Sequence, residues 1–161
     1  MEKLDEIYAL ANKIANSSKS KPVEHPLRTS ERVLNRITDG IYRQPASALR
    51  ELISNSYDAD ATEVVIETDY PRFNKISIRD NGNGFTEEAL ATLICSIGGS
   101  LKRTRDGINA KVVNKEDPDL SPKGRRLIGK IGIGLYAVSQ LTKEFQIITK
   151  TKGANHRTVA H

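Results

Sequence analysis

Tryptophan is absent from this 161-residue sequence, and aromatic residues make up only 5% of it. Domains that bind single-stranded nucleic acid usually stack the bases on aromatic side chains, so this scarcity argues against such a platform. No apolar run approaches the roughly 20 residues of a membrane-spanning helix. The acidic N-terminal stretch MEKLDEIYAL does not match a signal peptide. We therefore expect a cytoplasmic protein without membrane contact.

Cysteine occurs once, which excludes an internal disulfide bond and a zinc site built from several cysteines. Cys95 lies in an apolar, helix-like run, and this favours a buried structural thiol over a nucleophile. The histidines His25, His156 and His161 are scattered through loop-like or terminal sequence. Their spacing predicts no metal site.

The net charge of +5 is unevenly distributed along the chain. Residues 102–126 contain eight basic and four acidic side chains, so this segment alone carries +4. A basic segment attracts anions, either the phosphates of a small ligand or those of nucleic acid. Charge by itself favours the simpler interpretation of a solvated loop.

Apolar periodicity predicts an N-terminal helix and linker over residues 1–27 and an α+β domain over 28–161. The predicted helices span 3–15, Thr29 or Ser30 to about Gly40, 45–59, 86–97 and 132–141. The predicted strands span 62–69, 75–80 and 144–150, and a further strand begins near Arg157. This order predicts a sandwich with the helices on one face of a mixed, mostly antiparallel sheet. The long loop over 99–128 is typical of a functional lid, and we expect 103–124 to be mobile without ligand.

The predicted helix 45–59 carries a polar stripe opposite its apolar face. Glu51, Asn55 and Asp58 follow at helical spacing and share one side. Such a stripe is usually solvated, but the residues from Ser54 to Asp58 are poor helix formers, which indicates that their side chains are needed. A carboxylate and a carboxamide one turn apart suit Mg²⁺, which prefers oxygen ligands.

The stretch ISIRDNGNGF places an aspartate at the end of a predicted strand. Strand alternation puts Ile76, Ile78 and Asp80 on one face, directed toward the core. A buried carboxylate needs hydrogen-bond donors. Backbone amides of the following turn or an amino group of a ligand would both serve. Gly82 and Gly84 allow a close approach to the backbone.

The stretch GKIGIG, residues 129–134, places glycines just before a predicted helix. Free backbone N–H groups at a helix N-terminus form a ready anion site. The pattern is neither that of a P-loop nor that of a dinucleotide-binding turn.

ELISNSYDA, DNGNGF and GKIGIG, in this order and with a lid-like loop between the last two, resemble the three motifs of the GHKL ATPases. This family comprises the DNA gyrase ATPase subunit, ninety-kilodalton heat-shock chaperones, sensor histidine kinases and MutL-type mismatch-repair proteins. The resemblance runs from about Arg28 to Lys150, and IGGSLKR resembles the lid opening of MutL-like and MORC-like members. It implies the Bergerat fold, a two-layer α/β sandwich with a left-handed βαβ-type pocket for ATP or ADP and Mg²⁺.

The resemblance implies roles for the first motif. Glu51 would be the general base that activates water, and Asn55 would ligate Mg²⁺. Asp58 and Ala59 would line the ribose and adenine side of the pocket.

The resemblance also implies roles for the other motifs. Asp80 would accept a hydrogen bond from the adenine amino group, while Gly82 and Gly84 let the adenine approach. Lys102 and Ser100 would reach the β- and γ-phosphates when the lid closes. The third motif would hold the phosphates through Gly129, Lys130, Ile131, Gly132, Ile133 and Gly134.

Glu51 discriminates between branches of the family, because the hydrolysing branches carry a glutamate there and histidine kinases generally lack it. The resemblance therefore favours Mg²⁺-dependent ATP hydrolysis by a switch that closes its lid or dimerises on ATP and drives an effector region. One alternative is a non-hydrolysing nucleotide-binding module that contacts DNA through 102–126. A weaker alternative is a histidine-kinase-type domain.

Family domains usually continue for two or more strands after the third motif. One of these strands bears a threonine or serine near the adenine-binding aspartate, and Thr149, Thr151 and Thr158 are the candidates. We therefore expect the 161 residues to be a fragment whose last strands are missing or incomplete.

Overall fold

The structure is a computed structural model that describes residues 2–18, 21–26, 45–95, 107–108, 110–129, 138 and 141–161. Its helices are α1 (Glu2–Ala15), α2 (Pro45–Asp58) and α3 (Glu87–Cys95). Its strands are β1 (Val64–Glu67), β2 (Ser77–Asp80), β3 (Ile147–Thr149) and β4 (Thr158–Ala160). The α+β class is confirmed. The predicted helix before Gly40 lies outside the described residues, as does most of the one predicted for 132–141.

Helix α2 begins at Pro45, whose fixed φ suits the first turn of a helix. It ends in a Schellman motif, because Asp60 adopts a left-handed φ of 62°. The Asp60 amide donates to the Tyr57 carbonyl and the Ala61 amide to the Ser56 carbonyl, both at 3.0 Å. This closure turns the chain directly from the end of α2 into β1.

Strands β1 and β2 form the predicted antiparallel pair, in which Val64 lies opposite Asp80 and Ile66 lies opposite Ile78. Asn81 fixes the end of this pair, since its Oδ1 accepts hydrogen bonds from the amides of Thr62 and Glu63 at 2.8 and 3.1 Å. The register therefore places Asp80 at the open end of the sheet, beside the last turn of α2.

Strands β3 and β4 pair antiparallel with Ile147 opposite Ala160, so the strand predicted near Arg157 is present. Within the described residues, the four strands form two separate two-stranded sheets and not the single sheet that we predicted.

Helices α1 and α3 pack against each other. Thr86 caps α3 as predicted, because its Oγ1 accepts a hydrogen bond from the Ala89 amide at 3.2 Å. The contact core consists of Leu10, Ala11, Ala91 and Cys95, flanked by Ile7, Ile14 and Ile94. Cys95 is buried, as expected. The N-terminal helix thus packs on its own chain.

No helix in the described ranges is long and apolar enough to cross a membrane.

Candidate functional site

The polar stripe of α2 does not face solvent. Asp58 is only 3% exposed, and Glu51 and Asn55 are partly buried. In contrast, Ile53 from the predicted apolar side is 42% exposed. The solvated interpretation of the stripe is therefore wrong at Asp58, because the end of the lid packs against its carboxylate.

Asp80 joins the second motif to α2. Its Oδ2 accepts a hydrogen bond from the Ser56 hydroxyl at 2.9 Å, and its Oδ1 accepts one from the Gly82 amide at 2.8 Å. The side chain thus points toward α2, but the prediction of burial in the core is wrong, since Asp80 is exposed. Because it is the last residue of β2, no further strand residue covers it. Its carboxylate can therefore accept additional hydrogen bonds.

The glycines after Asp80 have partners within the chain. A Cβ at Gly82 would lie 2.8 Å from the Ala59 carbonyl oxygen and 2.9 Å from Asp80 Oδ1. A Cβ at Gly84, where φ is +71°, would lie 2.3 Å from the Lys150 carbonyl oxygen. An added Cβ at either glycine would thus meet atoms of the same chain.

Asp58 links the first motif to the third. Its Oδ1 accepts a hydrogen bond from the Ile128 amide and its Oδ2 one from the Gly129 amide, both at 2.9 Å. The carboxylate therefore positions the entry to GKIGIG from inside the protein. The amide of Gly129 is therefore engaged by this carboxylate, and the remaining residues of the third motif, 130–134, lie outside the described residues.

Asp60 is a site-forming residue that the sequence did not single out. It is 1% exposed, and its Oδ1 accepts a hydrogen bond from the Ser121 hydroxyl. Its Oδ2 accepts from the Asn83 side-chain amide at 2.9 Å and from the Lys123 backbone amide at 3.1 Å. Asp60 therefore ties the end of α2 to the second motif and to the lid. The available sequence signal was a second aspartate, two residues after Asp58, in YDADA.

The second half of the predicted lid is packed. Val113, Ser121 and Leu127 are buried, which does not match the expected mobility across 103–124. Arg125 donates to the Ala61 carbonyl at 2.5 Å, and its guanidinium lies 5.2 Å from the centre of the Tyr57 ring. The positive charge of Arg125, one of the basic segment, thus contacts other parts of the protein.

Thr149 connects β3 to the second motif. It is 8% exposed, and its Oγ1 accepts a hydrogen bond from the Phe85 amide at 2.7 Å. Among the candidate threonines, Thr149 is therefore the one that forms a hydrogen bond with the second motif.

The described part of the site thus gathers all three motifs at the C-terminal half of α2. Ser56 contacts Asp80, Asp58 contacts Gly129, and the Ala59 carbonyl accepts a hydrogen bond from the Asn83 amide at 2.8 Å. The predicted site residues Ser100, Lys102, Lys130, Ile131, Gly132, Ile133 and Gly134 lie outside the described residues.

Comparison with known proteins assigns this sequence to a protein family. The family described as histidine kinase-, DNA gyrase B-, and HSP90-like ATPase matches residues 42–160, which include all three motifs. The chain belongs to this ATPase family. It therefore carries an ATP-binding domain of the GHKL type, and ATPase activity is a property of the family.

Relatives of this GHKL chain include proteins of different kinds. Chaperone protein HtpG of Chlorobium phaeobacteroides is 30% identical over 142 residues, which cover 78% of this chain and 22% of the relative. A candidate type II restriction enzyme, HgiDII of Herpetosiphon aurantiacus, is 28% identical over 137 residues, which cover 85% of this chain and 20% of the relative. DNA mismatch repair protein MutL of Colwellia psychrerythraea is 45% identical over 60 residues, which cover 37% of this chain and 9% of the relative.

The matched part of each relative is thus about a fifth of its length or less. No solved structure matches the chain.

Proposed function

We propose that this chain binds ATP together with Mg²⁺ and hydrolyses it. The observation that carries the proposal is the meeting of the three motifs on α2, through the Ser56–Asp80 and Asp58–Gly129 hydrogen bonds. Family membership supports ATP as the ligand. Hydrolysis rests in addition on Glu51.

Asp80 is the proposed adenine-reading residue. Ser56 and the Gly82 amide hold its carboxylate in place, while its exposure leaves it accessible to a ligand. A carboxylate can only accept hydrogen bonds, so it suits the exocyclic amino group of adenine and opposes the carbonyl oxygen of guanine. This preference supports ATP over GTP.

Glu51 and Asn55 are the proposed catalytic and metal-binding residues. They lie one turn apart on α2 and are both partly buried, which limits the rotamers that they explore. The carboxamide oxygen of Asn55 is a hard donor that fits Mg²⁺, an ion that commonly takes only one or two protein ligands. When bound, Mg²⁺ would neutralise the charge of the phosphates. Glu51 would orient the attacking water and accept its proton.

The switch component of the proposal involves the lid. Asp58 and Asp60 hold residues 121–129 to the end of α2, and closure of the 99–128 lid on ATP is the proposed movement. Closure, or dimerisation of the domain, would transmit the nucleotide state to the effector region of a longer protein.

The decisive experiment measures binding and turnover separately. We expect Glu51→Ala to lower kcat by a factor of about 10² or more, the usual contribution of a general base, with ATP affinity retained. Asp80→Asn should weaken ATP binding by about 10- to 100-fold through loss of a charge-assisted hydrogen bond. Glu63→Gln, at an exposed glutamate outside the site, is the matched control. Calorimetry and a phosphate-release assay report the two quantities.

The outcomes separate the parts of the proposal. Turnover that is unchanged by Glu51→Ala would remove the general-base role while leaving ATP binding intact. Equal affinity for ATP and GTP would remove the adenine-reading role of Asp80.

The DNA-binding alternative receives less support. Arg125 is engaged with Ala61 and Tyr57, so the basic segment is not uniformly available to phosphates. DNA binding that falls steeply with salt would revive this alternative. The histidine-kinase alternative is disfavoured by Glu51, and phosphotransfer to a histidine would be its test.

A further inference from the structure

Three side chains of types that bind transition metals meet on elements other than those that carry the nucleotide motifs. Glu6 lies on α1, His25 lies in the segment that follows α1, and Cys95 is the last residue of α3. Their ligand atoms all lie within 4.8 Å of one another. In the ranges that the structure describes, no other group of three such residues comes together in this way.

The ring of His25 is oriented as metal-binding histidines usually are. Its Nδ1 lies 2.9 Å from the Pro26 carbonyl oxygen, which can only accept, so Nδ1 carries the hydrogen and donates. Bonding of one ring nitrogen to a backbone carbonyl fixes the tautomer and directs the other nitrogen to a metal. The other nitrogen, Nε2, faces Glu6 Oε1 at 3.6 Å.

The space between His25 Nε2 and Glu6 Oε1 suits a metal cation. At 3.6 Å the two atoms are too far apart for a good hydrogen bond. A neutral ring with its hydrogen on Nδ1 would direct the Nε2 lone pair toward a carboxylate oxygen, which is repulsive. A metal ion between the two groups removes this repulsion. The nearby thiol of Cys95 favours the metal, since a thiolate is a strong ligand for zinc-like ions.

The donor set indicates the class of metal. One sulfur, one nitrogen and one oxygen together suit Zn²⁺ and similar transition metals, and not Mg²⁺ or Ca²⁺. Zinc bonds of about 2.0–2.3 Å place neighbouring donors roughly 3.3–3.8 Å apart in a tetrahedron. Glu6 and His25 are partly exposed, at 29% and 17% of their side chains. Small rotations can therefore bring their donor atoms from within 4.8 Å to bonding positions.

We propose that Glu6, His25 and Cys95 form a Zn²⁺-type transition-metal site with a water molecule as the fourth ligand. The site fastens α1 and the segment after it to the end of α3, beside the Leu10–Ala91 packing core. Metal binding displaces the thiol proton and adds its free energy to that of folding. The histidine spacing did not predict this site because the three ligands come from distant parts of the sequence.

The experiment uses the metal-free protein, prepared with a chelator. Calorimetry with Zn²⁺ should give one ion per chain, and Co²⁺ should produce a thiolate-to-metal absorption band. Cys95→Ser should abolish the band, and His25→Gln and Glu6→Gln should each weaken Zn²⁺ binding by more than about 100-fold, beyond the loss from outer-shell changes. His156→Gln is the matched control, because His156 also faces a glutamate, Glu87, at 3.6 Å and should leave the affinity unchanged.

Absence of stoichiometric binding, or binding that the three ligand variants leave intact, would overturn the proposal and leave a His25–Glu6 ion pair. If Cys95→Ser fails to fold, the partly exposed His25→Gln and Glu6→Gln variants decide the question alone. Zn²⁺ binding and ATP binding are measured independently, so failure of this site leaves the proposed ATPase function untouched.

Discussion

At the scale of single residues, three aspartates within one site meet different requirements. Asp58 and Asp60 are almost fully buried, and each is satisfied by donors from other segments. Asp80 keeps two internal donors but remains exposed. A buried carboxylate is tolerated only when hydrogen bonds replace its hydration, so the first two organise the site, and only Asp80 is accessible to a ligand.

The close approach at Gly84 yields a residue-scale prediction. Gly84→Ala combines a left-handed φ of +71° with a Cβ 2.3 Å from the Lys150 carbonyl oxygen. We expect it to lower the free energy of unfolding by about 2–4 kcal/mol, since strain and a backbone clash add. Urea denaturation measures this change.

The matched control is Gly124→Ala. Gly124 has a φ of +87°, but a Cβ there would meet nothing within 4 Å. Gly124→Ala should lower the free energy of unfolding only by the conformational penalty of about 1–2 kcal/mol. Equal losses in the two variants would contradict the close packing of the second motif on β3.

At the scale of elements, α2 is the part of the site to which the loops attach. Its last turn contacts β2 through Ser56 and the third motif through Asp58, and Asp60, just after the helix, contacts the lid. Ordinary helix formers at these positions would leave Asp80 without the Ser56 donor and the donors of the third motif and the lid without their acceptors. The poor helix propensity of this stretch is therefore the cost of holding three segments together.

Removal of the Asp60 side chain should release the lid base. Asp60→Ala leaves the Ser121 hydroxyl, the Asn83 side-chain amide and the Lys123 amide without this acceptor. We expect a loss of about 3–5 kcal/mol in unfolding free energy, as for other broken buried networks. Amide hydrogen exchange should also accelerate across 121–125. Asp69→Ala is the control, because Asp69 also has a positive φ, 53°, but is exposed; similar effects would contradict the network.

The packing of α1 on α3 gives a second prediction for the elements. Leu10 is 2% exposed in the α1–α3 core, whereas Leu4 on the same helix is 46% exposed. Leu10→Ala should cost about 2–4 kcal/mol, because it leaves a cavity. Leu4→Ala should cost less than about 1 kcal/mol by its smaller buried area. Chemical denaturation compares the two, and equal costs would mean that α1 does not pack on the domain.

At the scale of the whole molecule, the chain is an ATP-binding domain of the GHKL type whose three motifs meet at the end of α2. The chain spans about a fifth of the length of HtpG. The domain itself should respond to nucleotide as one cooperative unit.

Ligand binding should stabilise the whole domain selectively. Since a ligand that binds only the folded state adds about 2.7 kcal/mol at a hundredfold excess over Kd, ATP with Mg²⁺ should raise the Tm. GTP should raise it much less, because Asp80 opposes its carbonyl oxygen. Thermal denaturation with each nucleotide tests this, and Asp80→Asn should remove the difference. An equal rise with both nucleotides in the unaltered chain would contradict adenine selection.

The sequence by itself determined the local elements and the family. Pro45 begins α2, Thr86 caps α3, and alternating β-branched residues form β1 and β2. These features depend on neighbours along the chain, so periodicity and capping rules predict them. The ordered motifs likewise stand in the sequence as short, continuous stretches, and the match over 42–160 confirms the family that they resembled.

Only the tertiary structure decided which side chains meet. The donors to Asp60, the contact of Gly84 with Lys150 and the convergence of Glu6, His25 and Cys95 each join residues far apart in sequence. Such contacts leave no periodic pattern, because either partner alone is an ordinary residue. The exposure of Asp80 has the same cause, since it depends on where the strand ends relative to the packed elements around it.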